Sequence, residues 1–456
     1  MNGHSVEGTT LELHICMKSL LQIVSILVIS LVGLTSHSET LTSLELKGLS
    51  FISSDYDKQQ PSNFAFLGAT LQSNEKEPEL FMVSASGYYA PGNSALSYLN
   101  VRELYFYLPT DETTKIYFGR KLWNWSSLDS DFNLGFFQPQ FRWNPLQPEN
   151  QGLFGYFWDR KTSDWGLTLF ASYLFLPDQG ASYEIKDGQF ENTNPWFRPP
   201  PQNIKFQGAV LPIDYRIEKP DTAKVIFRPL LAAQFRYGHS KGLYSQFSGA
   251  YKPAHQLALG YSGVLVTTRV KIKVVPQVYN EILLASDLGY FTDWGGVQLS
   301  VLHTKPENPT FEDSANIPVF EESTTWGPRV TYDWSPFQLS LAFFDTFGGQ
   351  VSEVGPDTNP DRNSLSQRFL YRQAFQAQVK YSEIFLKKVK IESQLQYIHS
   401  ELDQFSQVNL RNKINLKGPW AFWADVILIE TADEAMQNMN SFRNLDQVWI
   451  GASYDI

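Results

Sequence analysis

Apolar and polar residues alternate along most of this 456-residue chain. A period of two residues is typical of β-strands that present one apolar and one polar face. The apolar positions are clearest in these segments: Trp165, Leu167, Leu169, Ala171, Tyr173 and Phe175; Leu211, Ile213, Tyr215 and Ile217; Val264, Val266, Val270, Ile272 and Val274; Phe337, Leu339, Leu341 and Phe343; Phe375, Val379 and Tyr381; Val389, Ile391, Leu395 and Tyr397; Trp420, Phe422, Ala424, Val426 and Leu428. The pattern predicts an all-β protein.

Many of these segments are roughly 9–13 residues long, close to the length of a tilted strand that crosses a membrane. Aromatic residues stand near their ends, and short connections alternate with long polar ones, as in outer-membrane barrels. We therefore predict a transmembrane antiparallel up-and-down β-barrel with an even number of strands, roughly 16–20. The alternative is a soluble β-sandwich or propeller, but the sequence has no repeat of blade length.

One long interruption of the alternation, within residues 119–160, is predicted to fold into the barrel. It contains three tryptophans and three prolines, and it is too aromatic for a disordered segment. Loops of this length are usually functional when they are ordered. Counting connections makes it the third long loop on its side of the barrel, and we expect it to constrict the pore.

The first 38 residues are expected to lie outside the folded domain. Met17 to Ser38 has the pattern of a secretory signal peptide, with Lys18 before an apolar stretch and small residues at its end. Residues 1–16 do not fit that pattern; we interpret them as a mis-called start, the alternative being a genuine N-terminal extension. Cleavage would remove the single cysteine, Cys16, and leave one barrel domain of residues 39–456. The net charge of −10 argues against nucleic acid as a partner.

The last strand carries a pattern made by Gly451, Tyr454 and Ile456. It resembles the C-terminal signal of Gram-negative outer-membrane β-barrels, although Ile456 stands where Phe is usual and Trp449 where a polar residue is expected. The resemblance implies a location in the outer membrane, contact with its lipids and recognition by the barrel-assembly machinery. The position of the long loop resembles that in general porins, while a wider barrel of the polysaccharide-exporter kind is an analogy of architecture only.

Basic residues recur on the polar faces of the predicted strands. Because charge on the lipid face of a barrel is costly, we expect these side chains to line the lumen. They are Arg236, Arg269, Lys271, Lys273, Arg368, Arg372, Lys380, Lys388, Lys390, Arg411 and Lys413. Basic rings in a pore favour anions, so this wall predicts a mild anion preference. The alternative is that these charges pair with the constriction loop and select nothing.

The constriction loop offers charges of both signs and three indole rings. The predicted constriction residues are Arg120, Lys121, Trp123, Trp125, Asp129, Asp131, Arg142, Trp143 and Glu149. Opposed charges would create a transverse field that orients polar solutes, and the tryptophans would stack on sugar rings. Alternatively, the aromatic rings only pack the loop against the inner wall.

Catalytic and cofactor signals are weak. After residue 38 the only histidines are His239, His255, His303 and His399, and no cluster has metal-ligand spacing or the form of a Gly-rich phosphate loop. We therefore predict no enzyme activity, no cofactor and no metal. The predicted function is a porin-like channel through which small hydrophilic solutes diffuse passively.

Three other readings remain open: a specific channel for sugars or organic anions, a polysaccharide channel, and a plugged structural or adhesive barrel. For an adhesive barrel the best candidate surface is the loop of residues 177–203, which contains Trp196 and a run of prolines. That loop could equally form a rigid lid on the barrel mouth. A homo-oligomer is also left open.

Overall fold

A computed structural model describes residues 40–53, 62–73, 81–191, 193–197, 199–239, 241–311, 314–354, 368–385, 388–432, 439 and 442–456. The predicted N-terminal extension and signal peptide lie outside the described residues. Among the residues described, no helix is long and apolar enough to cross a membrane.

The described chain is built almost entirely of β-strands. In chain order they are β1 (Thr40–Phe51), β2 (Asn63–Ser73), β3 (Phe81–Tyr89), β4 (Tyr98–Pro109), β5 (Thr114–Lys121), β6 (Gln140–Arg142), β7 (Glu149–Asn150), β8 (Leu153–Lys161), β9 (Trp165–Ser172), β10 (Gln179–Gly180), β11 (Glu184–Lys186), β12 (Gln189–Glu191), β13 (Asn203–Phe206), β14 (Ala209–Ile217), β15 (Leu230–Gly238), β16 (Gly242–Pro253), β17 (Ala258–Val266), β18 (Arg269–Gln277), β19 (Asn280–Thr292), β20 (Gly295–Pro306), β21 (Ile317–Phe320), β22 (Ser323–Trp334), β23 (Phe337–Gly348), β24 (Val351–Val354), β25 (Gln373–Phe385), β26 (Val389–Ser400), β27 (Phe405–Asn415), β28 (Trp420–Thr431) and β29 (Gln447–Asp455). The helical segments are Ser94–Leu96, Ser127–Phe132 and Thr222–Ile226.

Eighteen of these strands form one closed antiparallel barrel. Each barrel strand pairs with the next barrel strand along the chain, and β29 pairs with β1 to close the sheet. The barrel strands are β1–β5, β8, β9, β15, β16, β19, β20, β22, β23 and β25–β29. This confirms the predicted transmembrane barrel architecture, its even strand number and the third long loop between β5 and β8.

The two faces of the barrel separate apolar from polar side chains. On β19 the exposed residues include Ile282, Leu284 and Leu288, whereas Glu281 and Asp287 point inward and are buried. This is the alternation that a membrane barrel requires, with an apolar surface for lipid and polar groups in the lumen. The pattern found in the sequence therefore corresponds to an outer and an inner face.

Three predicted barrel strands lie outside the barrel. The segments around Ile213, Val264 and Val270 form β14, β17 and β18, which join β13 in a separate four-stranded sheet. Its buried side chains, among them Tyr215 and Val274, form a small apolar core of their own. The two-faced pattern is therefore correct, but the assignment of these segments to the barrel is wrong.

Candidate functional site

The constriction loop, defined as residues 122–152 between β5 and β8, packs one aromatic side against the inner wall. Trp125 is only 1% exposed and lies with its ring centroid 6.1 Å from that of Phe137. Trp123 stacks on Phe157 of β8 at 5.9 Å, and Phe170 of β9 closes the cluster against Trp125 at 6.3 Å. For Trp125 this is the packing role, because its ring is buried, and Trp123 packs partly buried against the same cluster.

Polar side chains of the wall then bind the backbone of the same loop. Gln234 of β15 donates to the Asn124 carbonyl at 2.6 Å, and Gln246 of β16 donates to the Trp125 carbonyl at 3.0 Å. Asp287 of β19 accepts the Ser127 N–H at 2.9 Å. A backbone that leaves the sheet needs such partners when it is buried, so the inner wall supplies them.

The short helix Ser127–Phe132 and its acid Asp129 shape the loop. Ser126 caps the helix, and the Asp129 carboxylate accepts the N–H groups of Phe136 and Phe137 at 3.0 and 2.9 Å. Because Asp129 is buried and used in this way, it stabilises the fold of the loop and does not face the pore.

The loop continues across the lumen to the opposite wall. Asp131 pairs with Arg329 of β22 at 2.6 Å, and the Leu146 carbonyl accepts a hydrogen bond from Gln407 of β27 at 3.4 Å. Asn144 donates to Gln447 of β29 at 3.4 Å. The constriction loop is thus fixed at both sides of the barrel and divides its interior.

What remains open beside the loop is a cavity of about 730 Å³. Its loop side includes Asp131, Asn133, Arg142, Trp143, Asn144 and Glu149. Its wall side includes Lys47, Tyr98, Arg102, Gln376, Gln394, Gln396, Gln407, Asn409, Arg411, Trp423, Asp425 and Trp449. The cavity therefore lies between the constriction loop and the wall formed by β25–β29, β1 and β4.

Four of the nine predicted constriction residues line this cavity: Asp131, Arg142, Trp143 and Glu149. The cavity lining does not include Arg120, Lys121, Trp123, Trp125 and Asp129. Arg120 is buried and donates to the Gln151 side chain at 2.7 Å, while the Lys121 ammonium lies 4.1 Å from the ring centroid of Tyr105. Arg120 and Lys121 therefore do not border this cavity, and a role for them at a constriction stays a prediction.

The predicted basic wall is divided among several places. Five of its residues share the lumen face of barrel strands: Arg236, Lys380, Lys390, Arg411 and Lys413. Arg269, Lys271 and Lys273 lie on β18 in the separate sheet, so placing them in the lumen was wrong. Arg368 and Arg372 precede β25, and Lys388 precedes β26.

Several charges on the lumen face have a partner of opposite sign. Arg411 pairs with Asp425 at 3.2 Å, and Lys390 pairs with Glu392 at 2.7 Å. On the loop side of the cavity, Arg142 pairs with Asp178 at 3.1 Å. These pairs weaken the field that the basic residues alone would produce.

The loop of residues 177–203 enters the barrel mouth. Trp196 is buried, and its ring lies 4.6 Å from that of Trp143 and 6.1 Å from that of Trp449, measured between centroids. The candidate adhesive segment thus places its tryptophan against the constriction loop, which is the position of a lid.

The amide-bearing residues of the cavity wall were not predicted. Gln376, Gln394, Gln396, Gln407 and Asn409 lie side by side on β25, β26 and β27. Their signal was present in the sequence as polar positions between exposed apolar residues. Attention to charged residues alone left them out.

No protein-family model matches the sequence, and no curated protein matches it. Solved structures resemble the chain over most of its length. OccK10 (OpdN) of Pseudomonas aeruginosa is 12% identical, with a TM-score of 0.47 and coverage of 92% of this chain and 99% of that chain. OccAB1 of Acinetobacter baumannii is 10% identical, with a TM-score of 0.45 and coverage of 92% and 98%. OprD of Pseudomonas aeruginosa is 12% identical, with a TM-score of 0.42 and coverage of 92% and 95%. These likenesses are distant, and the fold rests on the strand pairing described above.

Proposed function

We propose that the protein is a porin-like channel of the outer membrane through which small hydrophilic solutes diffuse passively. The observation that carries this proposal is the polar cavity of about 730 Å³ beside a constriction loop inside a closed barrel. An apolar outer face suits outer-membrane lipid, and a polar interior suits water and dissolved solutes. The cavity favours a channel over a plugged structural or adhesive barrel.

The C-terminal pattern supports assembly by the barrel-assembly machinery. Tyr454 and Ile456 are exposed in the folded barrel, at 40% and 71%. Gly451 lies opposite Trp423 on the neighbouring strand. Recognition through Gly451, Tyr454 and Ile456 remains a prediction.

Single-channel recording of the purified protein in planar bilayers tests the proposed function. We expect discrete conductance steps, and deletion of residues 126–148 should raise the step size because it removes the part of the loop that divides the lumen. Removal of the β17–β18 hairpin, residues 258–277, which is not part of the barrel sheet, is the matched control and should change the conductance much less. Absence of steps, together with liposomes that do not swell in small sugars, would indicate a plugged barrel.

The mild anion preference remains a prediction, supported by the five basic residues on the lumen face. We expect a small anion-directed reversal potential under a salt gradient, because several of these charges are paired. Replacing both Lys380 and Lys413 by Gln should reduce that potential, whereas Lys241→Gln, in a short turn between β15 and β16 beside Asp293, should not. A clear cation preference of the unmodified channel would contradict the prediction.

A further inference from the structure

The wall of the cavity opposite the constriction loop is dominated by amides. Gln394 and Gln396 of β26 stand next to Asn409 of β27, and Gln376 stands on β25. Asn409 donates to the Gln396 side-chain oxygen at 3.0 Å. Each amide offers two N–H donors and one oxygen acceptor, so the wall can both donate and accept hydrogen bonds.

Three polar atoms of the cavity lining are buried without a hydrogen-bond partner among the described residues. They are the Gln376 Oε1, the Trp143 Nε1 and the Asp425 Oδ1. A buried polar group without a partner costs free energy, so such atoms are normally satisfied by water or by a ligand. The set contains two acceptors and one donor, and a small shift of these side chains would present both kinds of group to a solute in the cavity.

Aromatic faces complete the lining. Trp423 and Tyr98 are half-buried and border the cavity, and Phe369 lies at its edge. Binding sites for small molecules commonly combine such apolar surfaces with a few polar groups that fix orientation. The axial C–H groups of a pyranose ring stack on an aromatic face of this kind, while its hydroxyls remain free for the amides.

Each of the four basic residues of the lining, Lys47, Arg102, Arg142 and Arg411, has an acidic partner, so the lining offers little to a carboxylate. Arg411 is held by Asp425 at 3.2 Å, and Arg102 lies 3.9 Å from Glu149. An anionic solute would have to compete with these acids and would meet the Asp425 and Glu149 charges at close range. A neutral solute avoids that repulsion.

From the amide wall, the unpartnered polar atoms, the aromatic faces and the paired charges together, we propose that the cavity is a binding site for neutral sugars. The channel then has a sugar-selective subsite between the constriction loop and strands β25–β28. This assignment rests on the proposed channel function and names the solute class that the lumen retains. The cavity size lies within the range of about 300–1,000 Å³ that is usual for small-molecule sites.

The test compares glucose with glucuronate, which has the same ring and a carboxylate. Each is added to single channels in planar bilayers, and the concentration that halves the open-channel current is measured. We expect glucose to half-block at a lower concentration than glucuronate. Gln396→Leu and Gln376→Leu should each raise the glucose value roughly fivefold, as expected when one neutral hydrogen bond is lost.

Gln338→Leu is the matched control, since Gln338 is a lumen-facing amide on β23 outside the cavity lining that donates to Asp333. It should leave the glucose value unchanged. Unmodified conductance steps in all three variants establish that they fold and insert. If glucuronate half-blocks the channel at the same concentration as glucose, the sugar site is overturned. The same holds if Gln396→Leu and Gln376→Leu leave the glucose value unchanged. In both cases the channel function stands. Absence of steps in the unmodified protein instead removes the proposed function itself.

Discussion

Gly451 and Trp423 show how one residue pair shapes the lumen wall. They face each other across β28 and β29, and a Cβ atom added at Gly451 would meet two ring carbons of Trp423 at 2.3 Å. A real side chain cannot approach that closely, so the glycine lets the indole lie flat over the strand. The glycine of the C-terminal pattern therefore has a packing reason in the folded barrel.

Gly451→Ala should destabilise the barrel by about 1–3 kcal/mol, because the added methyl group forces Trp423 out of its place. Urea unfolding of the protein in detergent micelles measures the free energy change. Gly263→Ala is the control, since a Cβ atom there meets nothing within 4 Å. Equal stability of the two variants would show that the close approach carries no energetic weight.

For single residues, the sequence predicts the facing of strand side chains better than it predicts the contacts of loop side chains. Alternation assigns a face to a strand residue, and Arg236, Lys380 and Arg411 alternate with the exposed apolar residues of their strands. A loop has no such period. Asp129 therefore looked like a pore acid, although it accepts hydrogen bonds from the loop backbone.

At the scale of elements, His255 links the constriction loop to the connection after β16. Its Nε2 lies 3.2 Å from the Phe137 carbonyl and so carries the proton, and its ring stacks on Phe175 at 5.7 Å between centroids. Burial lowers the pKa of His255 well below its usual value, and the nearby charge of Lys252 lowers it further. The folded protein thus holds this histidine neutral.

This contact predicts a loss of stability in acid. A histidine whose pKa is depressed in the folded state stabilises the fold above the unfolded pKa, near 6.5, and that contribution falls as the pH decreases. The free energy of unfolding of the unmodified protein, measured relative to His255→Phe, should fall by roughly 1 kcal/mol between about pH 6.5 and 5.5. Phe keeps the stacking partner for Phe175 but cannot titrate. A difference that stays constant with pH would contradict the assignment.

The separate sheet shows that the sequence pattern predicts strands but does not predict which sheet they join. Val270 and Ile272 alternate with polar residues just as the barrel strands do, because β18 also buries one face. A period of two reports a half-buried strand and does not report which sheet buries it. The pattern therefore predicted only an even number of strands in the range of roughly 16–20. The observed number, 18, lies within that range.

At the scale of the whole molecule, the barrel separates two environments by strand face. Leu341 of β23 is 52% exposed on the outer face, and its partner Ala377 on β25 lies beside the lumen-facing Gln378. At the same level of the barrel, one residue thus faces the lipid and a neighbouring residue faces the lumen. The sequence predicted this division because lipid tolerates little charge.

Leu341→Lys should destabilise the barrel by about 2–4 kcal/mol, the cost of a lysine near the middle of the lipid-facing band. Gln378→Lys, at the same height but facing the lumen, should have a much smaller effect. Unfolding of both variants from phospholipid vesicles gives the two values. Similar losses for both would mean that these faces do not divide lipid from water.

The pairing of β1 with β29 also has a consequence for how the barrel folds. Ser43 and Asp455 hydrogen-bond at 2.6 Å across 412 residues of chain. Until this ladder forms, two strand edges stay open, and such edges invite pairing with other chains. Contacts between distant parts of a chain form slowly, because the entropy of closing the chain must be met before they add stability. We expect the closing of this seam to be the slow, final step of folding and the one most exposed to aggregation.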